Sequence, residues 1–176
     1  MDHMKALTVW FTGLPGSGKT TLGDLLVSKW RIQGYAAEIL DGDSIRNLLG
    51  GTVGFSKEER RRHVLSSAFT ASLLSKNGIH VAAAFVSPYQ SIRQEAKKII
   101  GTSFIEVFVD CPVSICMERD PKGLYKKAKS GGMKGLTGID DVYEPPEKPD
   151  LVLKTGTESI EESLGRILTL LRKRDL

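Results

Sequence analysis

Cysteine is nearly missing from this chain, whose 176 residues include only Cys111 and Cys116. Two thiols cannot build the disulfide framework of a small secreted scaffold. A single C-x-x-x-x-C spacing without a second ligand pair is not a zinc site either. Both cysteines read as ordinary buried or half-buried thiols. Long apolar runs are missing too. Residues 79–86 form one of the longest, interrupted by His80, and fall far short of the roughly 20 residues that a bilayer-crossing helix needs. The opening MDHMKALTVWF has no basic region followed by an apolar stretch and a cleavage site, so no signal peptide is predicted and a cytoplasmic location is expected. Aromatics amount to 7%, and the net charge is only +4. The one dense basic run, Arg60-Arg61-Arg62, falls inside a predicted helix, where such runs are usually solvated faces. Nucleic acid and membrane are therefore not expected partners, whereas a mild basic excess suits a small anionic substrate.

What is present is a globular composition, 40% apolar and 26% charged, which predicts one domain over residues 1–176. Short β-branched runs alternate with amphipathic stretches, the pattern of parallel α/β construction. Strands are predicted over 6–12, 35–40, 79–86, 104–110 and 151–154. Helices are predicted over 19–33, 44–49, 56–76, 89–100, 112–119 and 159–172, with Gly34, the Gly50-Gly51 break and Asn77-Gly78 as stops. Ser56-Lys57-Glu58-Glu59 has the capping-box pattern that opens a helix. The nearly continuous apolar run 79–86 is expected of a central parallel strand covered on both faces. Residues 120–149, rich in glycine, proline and charge and with little periodicity, predict a long irregular excursion of the kind that serves as a lid. The expected fold is a three-layer α/β/α sandwich around a parallel sheet of about five strands.

Gly13-Leu14-Pro15-Gly16-Ser17-Gly18-Lys19-Thr20 fits G-x-x-x-x-G-K-[ST] and lies between a predicted strand and a predicted helix, the context a phosphate-binding loop requires. Glycines let successive backbone N–H groups turn toward phosphate oxygens, and the following helix presents its positive end to the same anion. Lys19 would bridge the β- and γ-phosphates of ATP, Thr20 would hold Mg²⁺ through its hydroxyl, and Thr21 would bond an α-phosphate oxygen. No N-K-x-D guanine motif is present, and the strand ending Val109-Asp110-Cys111 runs directly into Pro112. A small-molecule kinase is therefore favoured over a GTPase or a motor ATPase. The acidic turn Asp41-Gly42-Asp43 falls at the carboxyl end of a parallel strand, where α/β proteins place their ligands. One carboxylate can accept the proton of an acceptor hydroxyl while the other organises magnesium, with Asp43 preferred as the base. Arg46, one helical turn on, can pair with an anionic group of the acceptor.

At this point the chain resembles the adenylyl-sulfate kinase family over nearly its whole length. The motifs that carry the resemblance are GLPGSGKTT, LDGDSIR, GFSKEER, FVSPYQSIR, FIEVFVDCP, RDPKGLYKKA and KGLTGIDDVYEPPEKPDLVL, in that order. The resemblance implies a P-loop kinase fold with strand order 2-3-1-4-5. It also implies transfer of the γ-phosphoryl group of ATP to the 3′-hydroxyl of adenylyl sulfate, with the option of a homodimer. Carried over by position, Asp43 and Asp41 are the catalytic and magnesium-organising acids respectively. Arg46, Phe55, Arg60, the Val86-Ser87-Pro88 segment and Lys134 surround the nucleotide acceptor, with Ser87 the serine of a proposed phosphoenzyme. Arg119, Lys122 and Lys127 face the transferred group from the start of the lid. Two positions depart from the pattern on the acceptor side. His63 stands where relatives carry asparagine. Leu136 stands where they carry a phenylalanine that can stack on adenine, a contact worth about 1–3 kcal/mol per base. A different nucleotide with a modified phosphate, or an ATP-binding module without turnover, are the alternative functions.

Overall fold

The structure, a computed structural model, describes residues 6–48 and 54–174. The predicted end of a helix at Leu49 and the Gly50-Gly51 break lie outside them. Five strands, β1 (Thr8–Thr12), β2 (Ala37–Asp41), β3 (His80–Ala84), β4 (Phe104–Val109) and β5 (Leu151–Leu153), form one parallel sheet in the order β2-β3-β1-β4-β5. The helices are α1 (Lys19–Ile32), α2 (Gly42–Leu48), α3 (Lys57–Lys76), α4 (Gln90–Ile100), α5 (Val113–Arg119), α6 (Leu124–Lys129) and α7 (Ile160–Arg172).

Alternation along β1 divides the core. Val9 and Phe11 pack with Leu22, Leu26 and Trp30 of α1 and Ile167 of α7 on one face. Trp10 points the other way, stacked on Phe85 at 4.9 Å beneath α3 and α4. The uniformly buried β1 and β3 confirm a sheet covered on both faces. None of the described helices is long and apolar enough to cross a membrane. Helix α3 starts as its sequence predicts, with Ser56 and Glu59 each satisfying the other's backbone N–H.

Two expectations are corrected. Residues 120–149 are not wholly irregular, since α6 lies within them. Its six residues are too few to show a period, and its free N–H groups at Tyr125 and Lys126 are taken by the Asp120 carboxylate, at 3.1 and 3.0 Å. Nor is Asp41-Gly42-Asp43 a turn, because β2 runs through Asp41 and α2 begins at Gly42. The junction needs glycine: a Cβ at Gly42 would lie 2.8 Å from the Phe85 ring. Asp41 then secures the new helix by accepting from both the backbone N–H and the hydroxyl of Ser44, each at 2.8 Å.

Candidate active site

The carboxyl ends of the strands open into a cavity of about 1030 Å³ walled by the glycine-rich loop, α2, α3, the segment after β3 and the lid. Because every strand of the sheet is parallel, all the following loops converge at this end. Gly13 starts the glycine-rich loop where β1 passes close to β4; a Cβ there would lie 2.5 Å from the Val109 carbonyl oxygen. Residues 15–21 line the cavity. Gly13 and Leu14 do not, and their carbonyls instead accept from the Lys19 ammonium at 2.9 and 2.7 Å. Burial strips that ammonium of water and lowers its pKa to about 8.

The two acids are placed differently. Asp41 accepts from the Thr20 hydroxyl at 2.8 Å, and with three hydrogen bonds to its carboxylate it stays ionised: the bonds from Ser44 and Thr20 hold its pKa below the usual range despite a burial effect of opposite sign. Asp43, half exposed, pairs with Lys122 of the lid at 2.6 Å. Thr20 and Asp41 thus bring a hydroxyl and a carboxylate oxygen together, the hard donor set that suits magnesium alongside phosphate oxygens.

Among the residues expected at the acceptor, Phe55 is flanked by two guanidiniums, with Arg46 4.5 Å and Arg60 5.3 Å from the ring centroid. His63 is buried and lines the same cavity. Its Nε2 lies 3.0 Å from the Gly42 carbonyl oxygen, its Nδ1 is without a partner, and burial together with the Arg46 charge pushes its pKa below the ordinary imidazole range. The neutral ring therefore donates Nε2–H to the peptide that joins the two acids' positions. Leu136 reaches the cavity wall but is buried in a cluster with Cys111, Cys116 and Tyr125. The two cysteines are free and buried, as expected. Arg119 lines the cavity and donates to the Thr155 carbonyl at 2.5 Å.

Two expected site residues are placed differently from the rest. Ser87, with Val86 and Pro88, does line the cavity, but its backbone has φ of 38° and its hydroxyl is only 3.1–3.2 Å from two partners behind it. It accepts from the Trp10 indole and donates to Thr12. Lys134 is exposed and is not among the residues that line the cavity. Other residues were missed by the sequence. Tyr125 of α6 donates its hydroxyl to the Pro15 carbonyl at 2.8 Å. Thr155, just past β5, donates to the Ser17 carbonyl at 2.7 Å, and Glu158 and Ser163 follow it along the wall. The signal that could have found Thr155 is topological, since it follows the carboxyl end of a parallel strand.

The adenylylsulphate kinase family model matches residues 5–154. A probable adenylyl-sulfate kinase of Synechocystis sp. is 50% identical over 165 residues, covering 94% of this chain and 93% of its own. The adenylyl-sulfate kinase of Halothermothrix orenii is 44% identical over 174 residues, covering 99% of this chain and 94% of its own. Among solved structures, the Mycobacterium tuberculosis APS kinase in complex with AMPPNP and APS superposes with a TM-score of 0.90 at 40% identity, covering 96% of this chain and 98% of that one.

Proposed function

This chain belongs to the adenylylsulphate kinase family, and from that premise we propose how its own residues transfer the γ-phosphoryl group of ATP to the 3′-hydroxyl of adenylyl sulfate, giving 3′-phosphoadenylyl sulfate and ADP. The observation that carries the assignment is that one cavity joins two different anion-binding halves. The glycine-rich loop with Lys19 forms one, the Arg46–Phe55–Arg60 group forms the other, and Asp41 and Asp43 connect them. Asp41 touches the first half through Thr20, while Asp43 shares α2 with Arg46 of the second.

The loop N–H groups of residues 16–21 and the amino end of α1 receive the triphosphate. Lys19 exchanges the Gly13 and Leu14 carbonyls for β- and γ-phosphate oxygens, so a cation held by neutral acceptors gains anionic ones. Thr20 and Asp41 would hold Mg²⁺, which when bound supplies charge neutralisation to the β- and γ-phosphate oxygens. Arg46 and Arg60 meet the anionic part of adenylyl sulfate, and the Phe55 ring offers an apolar face between them. Asp43 takes the proton of the 3′-hydroxyl as the oxygen bonds to the γ-phosphorus. The bond from that phosphorus to the β,γ-bridging oxygen breaks, and ADP leaves with the bonding pair. Lys122 pairs with Asp43. The transferred phosphoryl group gives Lys122 a stronger anionic partner, which frees the carboxylate to act as base. Ser87 takes no covalent part, because direct in-line transfer needs none.

The test is a coupled assay of ADP release with ATP and Mg²⁺, offering adenylyl sulfate and a panel of nucleotides with modified phosphates. Adenylyl sulfate is expected to be strongly preferred. Asp43→Asn is expected to lower kcat by about 10²–10⁴ with little change in either KM, the range of a lost general base. Turnover with another acceptor alone would overturn the substrate assignment and point to His63 and Leu136 as its determinants. An undiminished kcat in Asp43→Asn would remove the base assignment.

A further inference from the structure

Arg60 is held in place by partners just before its own helix and on the lid. Its Nε donates to the Phe55 carbonyl at 2.8 Å, and one terminal nitrogen donates to the Gly135 carbonyl at 2.5 Å and pairs with the Asp141 carboxylate at 3.1 Å. Asp141 is not among the residues that line the cavity. Its carboxylate also accepts the Tyr89 hydroxyl, at 3.1 and 3.3 Å, and its own neighbour's N–H at Val142, at 2.9 Å. Its backbone carbonyl accepts from Gly138 at 2.9 Å, closing the lid loop that begins at Gly135. One side chain therefore joins three separate walls of the acceptor half: α3 through Arg60, the segment after β3 through Tyr89, and the lid through its own loop. The pair is sheltered, with the Arg60 side chain 7% and the Asp141 side chain 21% exposed.

We propose that Asp141 is a positioning residue for the acceptor. It fixes the Arg60 guanidinium in the direction of the cavity and ties the 135–141 loop of the lid to α3, so that adenylyl sulfate meets a cation already oriented. The proposal rests on the assignment of Arg60 to the acceptor. A pre-ordered guanidinium loses less side-chain freedom on binding than a free one, and this strengthens binding without adding a contact. The same carboxylate also has an opposing effect, since it cancels part of the positive potential that an anionic acceptor would feel. The two effects predict opposite signs for its removal. The three donors converging on the Asp141 carboxylate, from three parts of the chain, favour positioning over mere neutralisation.

The experiment is steady-state kinetics on the full chain, varying adenylyl sulfate and ATP separately, for wild type, Arg60→Ala, Asp141→Asn, Tyr89→Phe and the double variant Asp141→Asn/Tyr89→Phe. Thermal melting of each runs alongside. Positioning predicts that Asp141→Asn raises KM for adenylyl sulfate by about tenfold while KM for ATP and kcat stay within about threefold. Tyr89→Phe should move the same KM in the same direction by less, and the double variant should be no worse than Asp141→Asn. An unchanged or lowered KM for adenylyl sulfate in Asp141→Asn overturns the proposal, the lowered value showing that the carboxylate only neutralises. So does a loss shared by both substrates that follows a lowered melting temperature. Arg60→Ala separates the two levels. If it leaves KM for adenylyl sulfate unchanged, the acceptor assignment itself fails. If it raises that KM while Asp141→Asn does not, only the positioning role fails.

Discussion

Lys19 carries an ammonium into a place that water barely reaches, and the cost is visible in its pKa, lowered to about 8 from 10.5. Between those two values the folded chain binds fewer protons at this position than the unfolded chain. This group's contribution to stability therefore rises as the pH climbs from about 8 to 10.5 and is least favourable below about 8. ATP reverses the balance. Its phosphates favour the charged ammonium, so binding in the same window must take up a proton, and affinity must fall as the pH rises above about 8. The limiting slope is about tenfold per pH unit, one proton's worth. Titration calorimetry of a non-hydrolysable ATP analogue at pH 9, in two buffers of different ionisation enthalpy, should show uptake close to one proton, about the neutral fraction expected there. No uptake would mean that Lys19 is already charged in the free chain. His63 has the same sign. Its folded pKa is depressed by burial and by Arg46, so its stabilising contribution is present above the ordinary imidazole value and is lost as the pH falls into acid.

Helix α3 delivers Arg60 and His63 to the cavity from its first two turns, so its start is a functional boundary as well as a structural one. The Ser56 hydroxyl accepts from the Glu59 N–H at 3.3 Å and the Glu59 carboxylate accepts from the Ser56 N–H at 3.0 Å. Ser56→Ala removes the first of these and should cost about 1 kcal/mol, lowering Tm by about 2–4 °C in a domain of this size. It should also raise KM for adenylyl sulfate more than KM for ATP, because the loosened turn carries an acceptor residue and no phosphate-loop residue. Equal effects on both substrates would show that the cap serves stability alone. This cap was legible in the sequence, as were the five strands, because each shows itself within a few neighbouring residues. Helix α6 was not: at six residues it spans less than two turns, and its capping carboxylate at Asp120 lies outside the usual cap position. The site divides along the same line. Lys19, Thr20, Asp41 and Asp43 were legible from local spacing, and Phe55 and Arg60 from the family resemblance. The Tyr125 contact with Pro15, the Lys122 pair with Asp43 and the Thr155 contact with Ser17 join residues 110, 79 and 138 positions apart. No periodicity records such contacts. The orientation of Ser87 was illegible for a related reason, because its hydroxyl is claimed by Trp10, which lies 77 positions away on a neighbouring strand.

The lid links the whole molecule, because each of its roots is held by a different element. At its beginning Tyr125 bonds the glycine-rich loop and Lys122 bonds Asp43 on α2. In its middle Gly135 and Asp141 bond Arg60 on α3. At its end the Glu144 N–H donates to the Pro88 carbonyl at 2.8 Å, and its carbonyl accepts from Arg93 at 2.6 Å. Arg93 is itself buried against Glu106 of β4 and donates to the Ser87 carbonyl at 2.7 Å, so the far root is fixed to the core of the sheet. The phosphate half thus holds one root and the acceptor half holds the middle, which predicts that neither substrate alone closes the lid fully. Exposed Lys129 and Lys134 lie between these anchors, on the part least tied down, and give a direct probe. Trypsin should cut after them in the ligand-free chain. A non-hydrolysable ATP analogue or adenylyl sulfate alone should slow cleavage modestly, and both together should slow it by more than the product of the single effects, as expected when each ligand orders part of what the other needs. Simple multiplication of the single effects would mean that the halves are ordered independently. Full protection by the ATP analogue alone would place closure before acceptor binding and leave the contacts to Arg60 with no part in it.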